Sequence, residues 1–198
     1  ESIVKLGNAT ESLVKFVLVV ILTEKSQSKL RKLDMKILGI GNAIVDVICK
    51  VEDDFITKNK LTKSTMKLIF DESEFKKLLS NLKIEKTVSG GSVANSIVGL
   101  SQLGNEVGFI GKVNDDELGS KYEDGLKQEN VKYFYSKKKE DLPTGTCLIL
   151  VTPDSERTMC TFLGTAGKIN VNDVNSNAIK QSEIILLEGY LWDEGEPK

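Results

Sequence analysis

From Lys36 to Lys50 the chain reads KILGIGNAIVDVICK, rich in Ile and Val and interrupted by glycine. That pattern is too β-branched for a helix and predicts one or two strands. Met66 to Phe70 predicts a further short strand, and Asp71 with Glu74 forms a capping box that opens a helix to about Leu82. Ile84 to Ser89 reads as a strand ended by Gly90-Gly91. Ser92 is placed to cap a helix carrying Val93, Ala94, Ile97, Val98, Leu100 and Leu103, which stops at Gly104-Asn105. Val107 to Ile110 predicts the next strand, Asp115 or Asp116 caps a helix to about Glu129, and Val131 to Tyr135 returns as a strand. Thr146–Thr152 and Arg157–Leu163 flank Pro153-Asp154-Ser155, a turn sequence that predicts a hairpin. A helix near Val171 to Lys180 then precedes the apolar run Glu183 to Tyr190, EIILLEGY. Repeated strand-helix-strand units predict an α/β fold with a mostly parallel sheet, the hairpin and early strands forming an appendage.

The first residues read differently. Leu13 to Leu22 is apolar but contains Lys15 and is too short to span a bilayer, and no small-residue cleavage site follows it. Met35 stands directly before the first strong strand, so residues 1–34 are expected to be a non-native or upstream extension with a loosely docked strand or helix. The fold is read from residues 35–198.

Composition narrows the chemistry. The 198 residues carry 27 Lys+Arg against 29 Asp+Glu, a net charge of -2 that offers no field for nucleic acid or an acidic membrane. There is no histidine, which removes Ser-His-Asp and Cys-His triads and imidazole metal sites. Cys49, Cys147 and Cys160 lack CxxC spacing and lie in apolar runs, as expected of reduced core thiols in a cytoplasmic protein.

Three places break the local pattern. Asp46 sits inside an apolar run, where an ionised carboxylate costs several kcal/mol unless donors surround it. The period of two puts Asn42, Ile44 and Asp46 on one strand face, where a carboxylate and an amide suit the vicinal diol of a sugar. The plain alternative is a solvated edge strand. A dinucleotide fingerprint fails there because Ile44 occupies the third glycine position. The second place, Gly90-Gly91-Ser92-Val93-Ala94-Asn95-Ser96, joins a strand to a helix whose first amides favour oxygen-rich groups, with Asn95 one turn in. It is also the form of a purely structural turn. The third is Arg157, the one arginine after Met35, at the mouth of the hairpin. A solvent-facing charge is its bland reading, and helix capping explains Asp115 and Asp116 more simply than metal binding.

In this order, GIGNAIVD, GGSVANS, GKVNDDELG, PTGTCLILVTPDSERT and LEGYLWD resemble the motifs of the ribokinase-like carbohydrate kinases, the PfkB family. The resemblance is greatest to its adenosine-kinase-like branch and runs from Met35 to the end of the chain. It implies a three-layer α/β sandwich with a small β lid, and ATP-dependent, Mg2+-assisted transfer of a phosphoryl group to a primary hydroxyl of a sugar or nucleoside. On matching positions it implies that Asn42 and Asp46 hold sugar hydroxyls and that Gly90, Gly91 and Asn95 complete that pocket. Met66 and Leu68 fall on a lid strand, Cys147 and Thr161 where the hairpin faces the ring or base, and Arg157 near the transferred phosphate. Asn95-Ser96-Ile97 is similar to the nucleoside branch, while Val93 is bulkier than the residue common among sugar kinases, and the substrate stays open between the two. The family's Gly-Ala-Gly-Asp-like turn, with its anion hole and catalytic aspartate, has no counterpart between Met35 and Lys198. The expectation is therefore an N-terminal, acceptor-binding part that is inactive alone, with no catalytic residue and no metal site of its own. The alternative is a non-catalytic binding or dimerisation module, since lid sheets of this family can pair into homodimers.

Overall fold

The computed structural model describes residues 2–5, 18–22 and 36–192. Met35, the rest of 1–34, and Asp193 of the LEGYLWD motif lie outside the described residues. The strands are β1 (Ser2–Lys5), β2 (Leu18–Leu22), β3 (Lys36–Ile40), β4 (Ile44–Lys50), β5 (Met66–Leu68), β6 (Ile84–Gly90), β7 (Glu106–Ile110), β8 (Lys132–Tyr133), β9 (Gly145–Val151), β10 (Arg157–Phe162) and β11 (Ile184–Glu188). The helices are α1 (Asp53–Lys58), α2 (Glu72–Ser80), α3 (Ser92–Gln102), α4 (Glu117–Gln128) and α5 (Ser176–Gln181).

One sheet has the order β1-β2-β11-β3-β7-β8. Its β11, β3, β7 and β8 run parallel, whereas β2 pairs antiparallel with β11 and β1 with β2. The centres of β3 and β7 are buried along their length, as in strands covered on both faces. On one face Ile37, Val107 and Phe109 pack in a core with Val93, Ala94 and Ile97 of α3. On the other Leu38 and Ile110 meet Ile169 and Ala178. Helices on both sides give the three layers that the alternating pattern predicts. The buried stripe Val93, Ala94, Ile97 is what makes α3 a packed helix, and Ile97→Ala would cost about 2–5 kcal/mol through the cavity it leaves.

The second sheet, β5-β10-β9-β4-β6, is the expected lid. In β4 the period of two is plain: Val45, Val47 and Cys49 are buried, and Ile44, Asp46 and Ile48 are half-buried on the opposite face. The buried side packs against Ile56 of α1 and Phe75 and Leu78 of α2, with the Phe75 and Phe162 rings stacked at 5.5 Å. The hairpin forms as expected, Thr152 donating to Asp154 Oδ1 at 2.7 Å and Ser155 taking a positive φ of 67°. Asp71 caps α2 by accepting from Glu74 N at 2.8 Å.

Two expectations are corrected. The helix expected from Val171 to Lys180 is split into a 3-10 turn, Val171–Asp173, and α5, because Asn170 and Asn175 each cap a separate start. Ser92 does not cap α3. Gly91 holds the cap position, with a φ of 97° that favours glycine, and the Ser92 hydroxyl is used elsewhere.

Candidate functional site

The two sheets meet where β3 ends and β4 begins, at the turn 41–43, and the strand-helix turn at Gly90-Gly91 lies against it. A Cβ on Gly91 would sit 2.4 Å from the Asn42 carbonyl oxygen, and one on Gly90 would sit 2.3 Å from Asp46 Oδ2. Glycine at both positions lets Asn42, Asp46 and the start of α3 crowd into one place. Tyr122 of α4, fully buried, supports them from below by donating its hydroxyl to the Gly90 carbonyl at 3.3 Å.

Glu188, at the end of β11, closes the back of this site. Its Oε1 accepts from Asn42 N at 2.6 Å, and its Oε2 from the Ser92 hydroxyl at 2.5 Å and from Val93 N at 3.4 Å. Burial raises its carboxyl above the usual range, and the donors from Ser92, Asn42 and Val93 pull it back. The first turn of α3 therefore gives one amide, Val93 N, and the Ser92 hydroxyl to the protein's own carboxylate. The sequence reading missed both residues. Glu188 carries a legible signal, an acid ending the apolar run EIILLE, where an unpartnered charge is too costly to stand. Tyr122 carries none, since an aromatic on an amphipathic helix looks like ordinary core.

Asn42 and Asp46 do not share a strand face. Asn42 lies in the turn between two strands of different sheets, so the period of two does not reach it, and its backbone and side chain turn to Glu188. Asp46 does point to the open face. Its carboxylate has no hydrogen bond or ion pair to any described residue, and burial pushes its carboxyl up to about 6. Register places Val88, Asp46, Cys147, Thr161 and Leu68 side by side across β6, β4, β9, β10 and β5. Residues opposite one another in paired strands share a face. This row puts Cys147 next to Asp46, with Thr161 and Leu68 one and two strands further along the same face, while Met66 lies one row further out, next to Met159. Thr161 donates to Cys147 Sγ at 3.3 Å, and burial pushes the Cys147 thiol up to about 12.

Asn95 is exposed one turn into α3, in a cleft shared with Val88 and Ser89. Arg157 is not brought to Asp46: it is exposed at the outer end of β10, four residues from Thr161. Asp116 caps α4, accepting from Gly119 N at 2.7 Å and from Thr144 N and Oγ1 at 2.9 and 2.7 Å. Among the described residues no group of three Asp, Glu or Cys side chains could hold a metal ion, and no helix is long and apolar enough to cross a membrane.

Comparison with known proteins agrees with this architecture. A 5-dehydro-2-deoxygluconokinase of Mesomycoplasma hyopneumoniae is 28% identical over 142 residues, 71% of this chain and 40% of that protein. The crystal structure of an adenosine kinase from Sinorhizobium meliloti superposes with a TM-score of 0.76 at 34% identity, covering 83% of this chain and 50% of its own. A probable sugar kinase from Rhizobium etli gives 0.75 at 34% identity, covering 82% and 49%. The chain thus spans half or less of the length of these relatives. The family described as pfkB family carbohydrate kinase matches residues 37–197, from β3 onward, taking in the second sheet and every strand of the first except β1 and β2. The chain belongs to the pfkB family of carbohydrate kinases.

Proposed function

We propose that this chain supplies the acceptor-binding side of an ATP-dependent phosphoryl transfer to a primary hydroxyl of a sugar or nucleoside. The observation that carries the reading is Asp46, an unpartnered carboxylate held over Gly90 at the foot of the open lid face. Ionised, it accepts hydrogen bonds from two adjacent hydroxyls, replacing the donors the protein withholds. Gly90 and Gly91 keep the floor low enough for the acceptor to reach it, Asn42 and Glu188 fix the turn, and Asn95 is proposed to complete the rim. Cys147, Thr161, Leu68 and Met66 would lie against the remainder of the acceptor, with Arg157 the proposed phosphate contact.

ATP and Mg2+ are proposed for the complete reaction, but the described residues do not form their cradle. Of the amides that open α3, Val93 N is held by Glu188, and among the described residues no group of three carboxylates or thiols is assembled for a metal ion. Titration calorimetry with adenosine and D-ribose tests the reading. Saturable binding that weakens on the order of 100-fold in Asp46→Ala supports it. Binding of neither ligand, or no change in the variant, would refute it.

One observation favours a second reading, a dimerisation module without turnover. Met66 and Met159, opposed in register, are 36% and 38% exposed on the open face. A stable dimer in solution that binds neither ligand would select it.

A further inference from the structure

Between β3 and β11 the chain crosses between the parallel sheet and the lid four times: at 41–43 into β4, at Gly90-Gly91 out of β6, between β8 and β9, and after β10. Glu188 and Tyr122 serve the first two crossings. The third and fourth meet at the segment just past β7, Gly111 to Asp116, which belongs to the GKVNDDELG motif and of which acceptor binding uses no residue. Asn114 holds the third. Its Nδ2 donates to the carbonyls of Glu140 and Leu142 at 3.2 and 2.9 Å, its Oδ1 accepts from Glu140 N at 2.9 Å, and its own amide donates to Thr144 Oγ1 at 3.1 Å.

Lys112 joins the third crossing to the fourth. Its Nζ is buried, 3.3 Å from Glu140 Oε1 ahead of β9, and 3.1 Å from Asp173 Oδ2 and 3.4 Å from the Lys168 carbonyl oxygen beyond β10. Three N–H donors thus face three acceptors drawn from both sides of the hairpin. Asp173 also accepts from Asn170 N at 3.0 Å, which ties the ion pair to the backbone after β10. The two crossings touch each other as well: Thr165 N donates to the Pro143 carbonyl at 2.9 Å, and a Cβ on Gly145 would lie 2.6 Å from the Leu163 carbonyl oxygen.

We propose that Lys112 is a positioning residue of the lid: through Glu140 it fixes where β9 enters, and through Asp173 and the Lys168 carbonyl where β10 leaves, so that the β9–β10 half stands at one set angle to the parallel sheet. A buried ion pair is a poor source of stability, because desolvation offsets its attraction and apolar side chains of similar volume serve as well or better. What it supplies here is direction, one fixed point past β7 joined to one chosen point on each side of the hairpin. This placement is independent of what the lid covers. Its effect on acceptor binding rests on the reading above, since β9 and β10 carry Cys147 and Thr161.

Nitroxide labels and pulsed electron-spin distance measurements test it. Cys49, Cys147 and Cys160 are buried, so the labels go to introduced exposed cysteines: Glu156→Cys on the hairpin or Lys86→Cys on β6, each combined with Leu103→Cys at the end of α3. Both distances should be sharply distributed when Lys112 is present. Lys112→Met leaves the buried Asp173 carboxylate with Lys138 as its one cation among the described residues, so a second variant, Lys112→Met with Asp173→Leu, removes both buried charges and should regain most of the lost urea midpoint. In both variants the hairpin distance should broaden while the β6 distance keeps its width. In the double variant adenosine should bind about tenfold more weakly despite the regained stability, because the ligand must then order the hairpin. A hairpin distance as sharp in the double variant as with Lys112 present, or equal broadening of both distances, overturns the inference. So does a double variant less stable than Lys112→Met, since the pair is then kept for stability alone. If the wild type binds no adenosine, the acceptor reading falls and the two distances still decide the role of Lys112.

Discussion

Asp46→Asn should make the protein more stable. The carboxylate is half-buried, has no donor among the described residues, and has its carboxyl pushed from 3.8 up to about 6 by burial. A carboxyl whose folded value exceeds its unfolded one binds more protons in the native state. Wild-type stability therefore falls as pH rises from about 4 through about 6. At about 1.36 kcal/mol per pH unit the full displacement is worth at most about 3 kcal/mol, and the solvent still reaching the side chain reduces that to about 1.5 kcal/mol. Asparagine keeps the shape and removes the charge. In urea unfolding across pH, the variant should match the wild type below about pH 4 and exceed it by about 1.5 kcal/mol above pH 6.5, or roughly 3–6 °C in Tm. The same change should weaken acceptor binding, so stability and function move in opposite directions, as they do where a side chain is kept for its ligand. An Asn variant less stable than the wild type at pH 8, or a difference that does not vary with pH, would refute the reasoning.

Glu188→Gln replaces one acceptor oxygen with a donor facing Asn42 N or Ser92 and Val93 N, and should cost about 2–3 kcal/mol in urea unfolding. Gly90→Ala places a methyl against both Asp46 oxygens and should weaken adenosine binding by about tenfold or more. Part of that loss should disappear when Asp46→Ala is made first, which a double-mutant cycle reads directly. Lys112→Met leaves Asp173 and Glu140 with Lys138 as their one cation among the described residues and should destabilise by about 3 kcal/mol, whereas Lys67→Met at an exposed pair should change the unfolding free energy by less than about 0.5 kcal/mol. Cys147 and Cys160, with thiols pushed up to about 12 and about 11, should resist alkylation at pH 8 in the folded protein and react at once when it is unfolded in urea.

What could be read from the sequence was set by short-range regularities. The alternation in β4, the N-cap at Asp71 and the turn after Thr152 need only a few neighbouring residues, and each appears in the structure; the reciprocal half of the expected capping box does not form, because the Glu74 carboxylate is taken by Lys67. Asp46 could be singled out because a carboxylate in an apolar strand contradicts its surroundings. Asn42 was aligned with it wrongly because the chain leaves one sheet and enters another between them, and no local pattern marks that exchange. Glu188 lies 146 residues from the Asn42 amide it accepts from, a separation over which composition and periodicity carry no information. The splitting of the helix at Val174 follows from two asparagines, Asn170 and Asn175, each offering its own cap, a competition visible in the letters but decided by packing.

The long-range bond from Glu188 also explains how a site at the junction of two sheets keeps its shape. The lid joins the parallel sheet through 41–43 and leads into α3 through Gly90-Gly91, two turns that contain glycine. Glu188, on the parallel sheet, bonds to the first turn through Asn42 N and to the start of α3 through Ser92 and Val93. Because the carboxylate is buried and its donors come from three residues, its hydrogen bonds lie in a low dielectric, where each is stronger than in water. Asp46 stands just beyond these bonds, carried by β4 directly from the turn 41–43. Any acceptor that bonds to Asp46 therefore meets a strand already held in place, and the backbone part of the ordering cost has been met by folding.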